Sequence, residues 1–166
     1  MTDGALDGLY QEIILDHARA PHGYGLREKA SAESHQINPT CGDEVTVRLH
    51  ANAGDTQIES ISWEGHGCAI SQSSASVLSD LVHDLEPEEL HARIAAFRTL
   101  MRSKGASTVS AAVAADDAAA SAAEDDDLLG DAVVFAGVSR YVARIKCAML
   151  PWVAVEDALS RFHTAA

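Results

Sequence analysis

Residues 43–71 read DEVTVRLHANAGDTQIESISWEGHGCAIS, and this stretch decides the fold. Apolar and polar side chains alternate over residues 45–49, which is the period of a half-buried β-strand. A turn-forming sequence at 52–55 separates this segment from residues 58–64, whose Ile and Trp content favours a second strand. The two segments together predict an antiparallel hairpin.

Helical periodicity lies on both sides of the hairpin in the chain. Apolar side chains recur at helical spacing from Ala69, and Pro87 opens another helix, so we expect a helical hairpin after the strands. Residues 6–14 carry one apolar helical face, with Asp3 as the expected N-cap. Helical order resumes near Ser139 and continues to the C-terminus. Helices on both sides of a strand pair predict the α+β class.

The composition predicts one domain in a reducing compartment. The chain has 166 residues, of which 47% are hydrophobic, and a chain of this size buries about 70% of the surface that its unfolded form exposes. We therefore predict a single domain over residues 1–166. Three cysteines are an odd number, which argues against a closed disulfide framework and favours reactive thiols or metal ligands. A cytoplasmic location is expected.

Charge and hydropathy argue against several classes of partner. The chain has 12 basic and 25 acidic side chains, a formal charge of −13, which disfavours nucleic acid. The first residues lack the basic and apolar segments of a signal peptide, and no apolar run approaches the roughly 18 residues of a membrane span. We therefore expect a soluble protein that binds neither nucleic acid nor a membrane.

Residues 105–127 form a segment of low complexity. Ten of these 23 residues are alanine, six are acidic, and none is basic or aromatic. Alanine favours helix, but the segment has no apolar face large enough to bury. We predict an exposed, mobile insertion that acts as a solvating loop, with a docking element as the alternative.

Each cysteine stands in a distinctive local context. Cys41 and Asp43 flank Gly42 just before the first strand, where a tight turn aims both side chains at one point. Cys68 follows a glycine-rich junction between strand and helix, and the helix N-terminus there favours a thiolate. Cys147 lies within the last predicted helix. The three contexts together indicate one site.

Three thiolates and one carboxylate match the four-coordinate, sulfur-rich preference of Zn²⁺. The predicted metal ligands are therefore Cys41, Asp43, Cys68 and Cys147. Their four negative charges exceed the two of zinc, and the helix end at Cys68 together with Arg144, one turn before Cys147, supplies compensation. Three ordinary buried cysteines are the alternative interpretation.

Histidine offers a second choice of ligand. His66, two residues before Cys68, replaces Asp43 in an alternative ligand set. The other seven histidines show no paired ligand spacing. For His17, a solvated helix face is favoured over contact with a partner.

The cysteine contexts resemble those of the U-type iron–sulfur assembly proteins, the superfamily of IscU, SufU and the NifU N-terminal domain. The resemblance runs from Leu6 to about Leu159 outside the insertion, and it rests on NPTCGD at 38–43, GHGCAIS at 65–71 and ARIKCA at 143–148. Nearer the N-terminus it includes Leu9-Tyr10 and Asp16-His17 with Pro21. It implies an α+β fold in which a small antiparallel sheet of about three strands packs against helices, one of them a long C-terminal helix.

Lys146 indicates one branch of that superfamily. Scaffold members of the IscU type carry a histidine immediately before the third cysteine, where this chain has Lys146. Together with Arg144 and the extended segment between the second and third cysteines, this makes the chain resemble the SufU branch, which implies a zinc-dependent sulfurtransferase. By this resemblance Cys41 accepts persulfide sulfur from a pyridoxal-phosphate-dependent cysteine desulfurase of the SufS type and relays it to SufBCD-type assembly machinery. Arg144 then orients the persulfide, balances charge, or does both.

Two other functions stay open at this point. The same cysteines can hold a [2Fe–2S] cluster in an IscU-type scaffold, with Asp43 tuning its lability. A purely structural zinc site in a binding module is the third hypothesis. Pro151 is a departure from the family pattern that we expect to free the carbonyl of Cys147 and to kink the last helix beside the metal.

Overall fold

The structure, a computed structural model, describes residues 2–103 and 127–162. Its helices and strands are α1 (Thr2–Arg19), β1 (Ala32–Asn38), β2 (Asp43–Ala51), β3 (Ile58–His66), α2 (Ala69–Leu81), α3 (Pro87–Arg102), a 3₁₀ helix (Gly130–Arg140) and α4 (Val142–Phe162). The predicted insertion at 105–127 lies outside the described residues except for its last position. This element order confirms the α+β class and the long C-terminal helix.

The three strands form one antiparallel sheet in the order β1-β2-β3. Asn38 pairs with Asp43 across the first turn, and Val47 pairs with Trp63 between β2 and β3. The predicted hairpin is β2 and β3, with a register irregularity at His50/Ala51 where β2 ends. The residue pattern alone predicts only these two strands, whereas the family resemblance implies about three, which the structure confirms.

One face of the sheet packs against α4. Val47, Leu49 and Trp63 have almost no exposed surface, and neither has Trp152 of α4. A hydrogen bond of 2.6 Å from Ser34 Oγ to Asp157 Oδ2 joins β1 to the same helix. The last helix therefore fixes the sheet and also brings Cys147 toward the strand ends.

Three details of the helices differ from the sequence prediction or extend it. The prediction of Asp3 as an N-cap is wrong, because α1 already begins at Thr2. The helical order expected near Ser139 is divided between the 3₁₀ helix and α4, which meet at Tyr141. Pro151 lies inside α4, which continues as one helix to Phe162. None of the helices described here is long and apolar enough to cross a membrane.

Candidate metal centre

The turn between β1 and β2 positions Cys41 and Asp43. The backbone N–H of Gly42 donates to the carbonyl of Asn38 at 2.8 Å, and Gly42 has φ +76°, a conformation that suits glycine. The side chain of Asn38 also accepts a hydrogen bond of 3.1 Å from the backbone N–H of Thr40. The turn is thus fixed internally, and it leaves Cys41 exposed while Asp43 is buried at the start of β2.

Cys68 lies between the end of β3 and the start of α2. It is the N-cap residue of α2, and its side chain makes no capping hydrogen bond. Its backbone N–H donates instead to Oδ1 of Asp43 at 3.2 Å, and its thiol lies 3.6 Å from Oδ2 of the same carboxylate. Gly67 permits this approach, because a Cβ there would lie 2.9 Å from Cγ of Asp43. The prediction that Cys68 stands at a helix N-terminus is confirmed.

Cys147 comes from the second turn of α4 and is buried. Its Sγ lies 3.7 Å from Sγ of Cys41, although 106 residues separate the two in the chain. One ligand atom each from Cys41, Asp43 and Cys147 lies within 4.8 Å of the other two. Cys68 stands beside Asp43 but outside this group of three.

These separations fit the geometry of a tetrahedral zinc ion. Bonds of about 2.3 Å to sulfur and 2.1 Å to oxygen place two sulfur ligands about 3.8 Å apart and a sulfur and an oxygen ligand about 3.6 Å apart. The distance from Cys41 Sγ to Cys147 Sγ is 3.7 Å, and that from Cys68 Sγ to Asp43 Oδ2 is 3.6 Å. Two opposite edges of a ligand tetrahedron therefore already have the required length. Cys68 lies outside the group of three ligand atoms, so its thiol has to move closer to Cys41 and Cys147 to complete a tetrahedron.

The electrostatics of the centre favour a thiol on Cys147 and a carboxylate on Asp43 when no cation is bound. Burial raises the pKa of the Cys147 thiol, and hydrogen bonding with Asp43 and Cys41 raises it further. Burial acts to raise the pKa of Asp43 as well. Hydrogen bonds from Cys147, Cys41 and the backbone of Cys68 outweigh that effect and lower the pKa of Asp43 below its ordinary value.

Arg144 lies in the first turn of α4 and is exposed. Together with Cys68 it lines a groove of about 610 Å³, whose other walls include Tyr10 and Tyr141. Arg144, the residue predicted to compensate the charge of the ligands, therefore lies on the same groove as one cysteine of the centre. Lys146, which directly precedes Cys147, is also exposed.

The structure does not favour His66 as a ligand in place of Asp43. His66 ends β3, where it pairs with Glu44. Among the described residues, no group of three ligand atoms within 4.8 Å of one another includes His66.

A second cluster of ligand-type side chains was not predicted. His17, His22 and Asp80 place one ligand atom each within 4.8 Å of the others. The spacing of five residues between the two histidines crosses the end of α1 and resembles no helical ligand pair, and Asp80 comes from α2. The expected solvated face for His17 is wrong, since its ring is partly buried against Ser76 of α2.

The three-stranded sheet, the long C-terminal helix and the cluster of thiols and carboxylate define the class of U-type iron–sulfur cluster assembly proteins. Residues 9–148 match the family described as the NifU-like N terminal domain, and the chain belongs to that family.

Relatives within the family carry two different functional names. The chain is 31% identical over 162 residues to the iron–sulfur cluster assembly scaffold protein IscU of Streptococcus pyogenes serotype M1, covering 97% of this chain and 89% of that protein. It is also 31% identical over 156 residues to the zinc-dependent sulfurtransferase SufU of Bacillus subtilis strain 168, covering 94% of this chain and 92% of that protein.

A solved structure agrees with this assignment. It is a putative iron–sulfur cluster assembly scaffold protein for the SUF system from Fervidobacterium islandicum AW-1, which is 29% identical, with a TM-score of 0.71 and coverage of 89% of this chain and 94% of that one.

Proposed function

We propose that this chain is a zinc-dependent sulfurtransferase. In this proposal Cys41 accepts persulfide sulfur from a pyridoxal-phosphate-dependent cysteine desulfurase of the SufS type and relays it to SufBCD-type machinery. The observation that carries the proposal is the contrast between two neighbouring thiols. Cys41 is exposed on a turn of four residues, whereas Cys147, only 3.7 Å away, is buried in a helix. A ligand on a short turn can leave the centre at lower cost than one within a packed helix.

Cys41, Asp43, Cys68 and Cys147 are the proposed zinc ligands. Zinc, when bound, keeps its cysteine ligands deprotonated at neutral pH. Asp43 supplies a harder oxygen donor than a fourth thiolate would, which favours exchange of ligands at the centre. The buried Cys147 serves as the fixed ligand, and the exposed Cys41 serves as the ligand that is released.

The transfer step balances as a thiol exchange. The Cys41 thiolate attacks the terminal sulfur of the desulfurase persulfide, a sulfur–sulfur bond forms to Cys41, and the sulfur–sulfur bond on the desulfurase breaks. The desulfurase cysteine leaves as a thiolate, and Cys41 becomes a persulfide. No external oxidant or reductant is consumed, because one sulfur–sulfur bond replaces another.

Arg144 is the proposed partner of the anionic sulfur. A cation in the first turn of a helix opposes the helix dipole, and a nearby anion offsets that cost. Arg144 holds such a position in α4 and shares its groove with Cys68. The guanidinium therefore opens onto the same groove as one cysteine of the centre.

The second candidate is an IscU-type scaffold for a [2Fe–2S] cluster, which the name of the relative from Streptococcus pyogenes favours. Lys146 favours the transferase, because an ammonium group has no lone pair with which to bind iron or zinc. Metal content separates the two candidates. The transferase predicts about one zinc per chain at this centre and no iron. A scaffold predicts a stable, visible-absorbing cluster that forms on anaerobic reconstitution and passes to an apo-ferredoxin.

The transferase is tested by mass spectrometry after incubation with desulfurase and cysteine. We expect Cys41 to gain about 32 Da, the mass of one sulfur. Cys41→Ala should abolish both the gain and the stimulation of desulfurase turnover, whereas Thr40→Ala, a change at the exposed neighbour in the same turn, should preserve both. Full stimulation by Cys41→Ala would overturn the proposal. An unreactive Cys41 in the presence of the desulfurase would instead support a structural zinc site.

A further inference from the structure

His17, His22 and Asp80 converge at the end of the molecule where α1 stops and α2 finishes. His17 lies in the last turn of α1, His22 in the loop that follows it, and Asp80 in the last turn of α2. Their ligand atoms all lie within 4.8 Å of one another, and the two imidazole rings meet edge to face at 4.9 Å between centroids. The fold thus brings two imidazoles and a carboxylate together from three separate segments.

Hydrogen bonds to Ser76 and Trp63 hold both histidines in place. Ser76 Oγ lies 2.7 Å from Nδ1 of His17 and accepts the backbone N–H of His22 at 2.7 Å. The backbone carbonyl of His22 accepts the indole N–H of Trp63 at 2.8 Å. Ser76 therefore orients the ring of His17 through Nδ1, and an outer-shell partner on one ring nitrogen is common to metal-bound histidines.

The remaining two side chains have room to adjust to a cation. Nδ1 of His22 lies 2.7 Å from Oδ2 of Asp80, and the two side chains are 54% and 40% exposed. Tetrahedral ligands at about 2.1 Å from a metal lie about 3.4 Å apart. That separation is longer than the 2.7 Å between His22 and Asp80 and shorter than 4.8 Å, the upper limit on the distances between ligand atoms in the cluster. The exposed side chains of His22 and Asp80 are free to rotate toward that separation.

We propose that His17, His22 and Asp80 form a second metal site, which binds a borderline divalent cation of the zinc type. Two imidazoles and one carboxylate are the donors that such ions accept, whereas Mg²⁺ and Ca²⁺ require mainly oxygen ligands. A cavity of about 420 Å³ adjoins two of the three ligands, His22 and Asp80.

This site is separate from the cysteine centre. Cys68 is the N-cap residue of α2 and Asp80 lies in the last turn of that helix, so twelve residues place them roughly 18 Å apart along its axis. A cation bound here links α1 to α2, and its role is to secure the packing of these two helices. The proposal is independent of sulfur transfer at Cys41.

Zinc stoichiometry tests the second site. Metal-free, reduced full-length protein is titrated with ZnCl₂ against a chromophoric chelator at neutral pH. We expect one equivalent fewer in His22→Ala and in Asp80→Asn than in the wild type, and no loss in His83→Ala, an exposed histidine lining the same cavity. Both test positions are exposed and the backbone hydrogen bonds of His22 remain, so the variants are expected to fold.

CoCl₂ distinguishes this result from a failure at the cysteine centre. Thiolate-to-cobalt charge-transfer absorption reports the cysteines alone and should be equal in the wild type, His22→Ala and Asp80→Asn. Equal zinc stoichiometry in the wild type and His22→Ala would overturn the second site. Loss of an equivalent in His83→Ala would overturn its assignment to these three residues. If the wild type fails to transfer sulfur, we still expect it to bind one equivalent of zinc more than His22→Ala and Asp80→Asn.

Discussion

Asp43 caps a helix that begins 26 residues after it in the chain. Its Oδ1 accepts the backbone N–H of Cys68 at 3.2 Å, at the N-terminus of α2, where the side chain of Cys68 makes no capping bond of its own. A carboxylate at this end of a helix is stabilised by the unpaired N–H groups and by the helix dipole. One side chain therefore holds β2 against α2 and points its second oxygen at the candidate metal centre.

Substitution of Asp43 should separate these two roles. Asp43→Ala removes both cap and ligand and is expected to lower the free energy of unfolding of the metal-free protein by about 1–2 kcal/mol. Asp43→Asn keeps an oxygen for the N–H of Cys68 and should lose much less stability. Both changes should weaken zinc binding at the cysteine centre by roughly tenfold or more, about 1.4 kcal/mol. Urea unfolding and chelator competition measure the two effects.

Glu44→Ala is the matched control for Asp43, because it removes the adjacent, less buried carboxylate. It should leave zinc affinity at the wild-type value. Wild-type affinity in Asp43→Asn would contradict the assignment of Asp43 as a ligand.

Gly67 is expected to tolerate no side chain at the cysteine centre. A Cβ at this position would collide with Oγ of Ser71 and lie 2.9 Å from Cγ of Asp43. Gly67→Ala should therefore displace the carboxylate and weaken zinc binding by roughly tenfold to a hundredfold, as misplacement of a supporting group commonly does. Gly137→Ala, where a Cβ would have no neighbour within 4 Å, should leave the affinity unchanged. Chelator competition on both variants decides the point.

Zinc binding should release the proton of Cys147. Burial raises the pKa of this thiol, so in the metal-free protein it stays protonated at neutral pH, and a zinc ligand must be the thiolate. Zinc affinity should therefore rise with pH over the neutral range. Calorimetric titration in buffers of different ionisation enthalpy counts the protons released, and Cys147→Ala should release about one fewer than the wild type. An unchanged count would show that Cys147 is not a ligand.

The local signals in the sequence were sufficient for the hairpin and for the cysteine contexts. Alternation over β2, the turn at 52–55 and the glycines before Cys68 act within a few residues, so short-range sterics and hydropathy determine them. The same locality predicted Cys68 at a helix N-terminus. It did not reveal that Asp43, rather than Cys68 itself, supplies the cap.

The hydropathy pattern did not predict strand β1, because the side chains of this strand that face the protein interior are polar. Ser34 and Asn38 are buried where alternating apolar residues would have signalled a strand. Ser34 is satisfied by Asp157, which lies 123 residues further along the chain. A hydrogen-bond partner this far along the chain cannot be recognised from the residues around Ser34. Only the family resemblance implied a third strand.

The His17 cluster escaped prediction for a related reason. Its members come from a helix end, a loop and the last turn of another helix, so no fixed spacing relates them. Tertiary packing of α1 on α2 creates the cluster. The cysteine centre is equally non-local, but cysteines are few and their flanking motifs are distinctive, whereas eight histidines are not.

His50 should make the fold less stable in acid. Burial, together with the positive charge of Arg27, lowers the pKa of this histidine, whose Nε2 lies 2.8 Å from Ser62 Oγ. His50 therefore binds a proton more readily in the unfolded chain than in the folded protein. The free energy of unfolding keeps its full value above the unfolded pKa of about 6.5, and it declines as the pH falls through the lower pKa of the folded state. Urea unfolding at several pH values, in the presence of a chelator, should show a smaller decline in His50→Gln than in the wild type. In His83→Gln, a change at an exposed histidine, the free energy of unfolding should decline with falling pH as it does in the wild type.

Ser74 should be essential to the packing of α2 against α4, because it joins two buried groups of the long helix. Its hydroxyl donates to the carbonyl of Ala148 at 2.6 Å and accepts the indole N–H of Trp152 at 3.0 Å, and both Ser74 and Trp152 are fully buried. Ser74→Ala leaves that N–H without an acceptor away from water, which costs about 1–3 kcal/mol. Ser73→Ala is the matched control, since Ser73 is equally buried but its hydroxyl donates to the carbonyl of Ile70 in its own helix. Urea unfolding should show the larger loss in Ser74→Ala, and equal losses in the two variants would contradict a specific role for this contact.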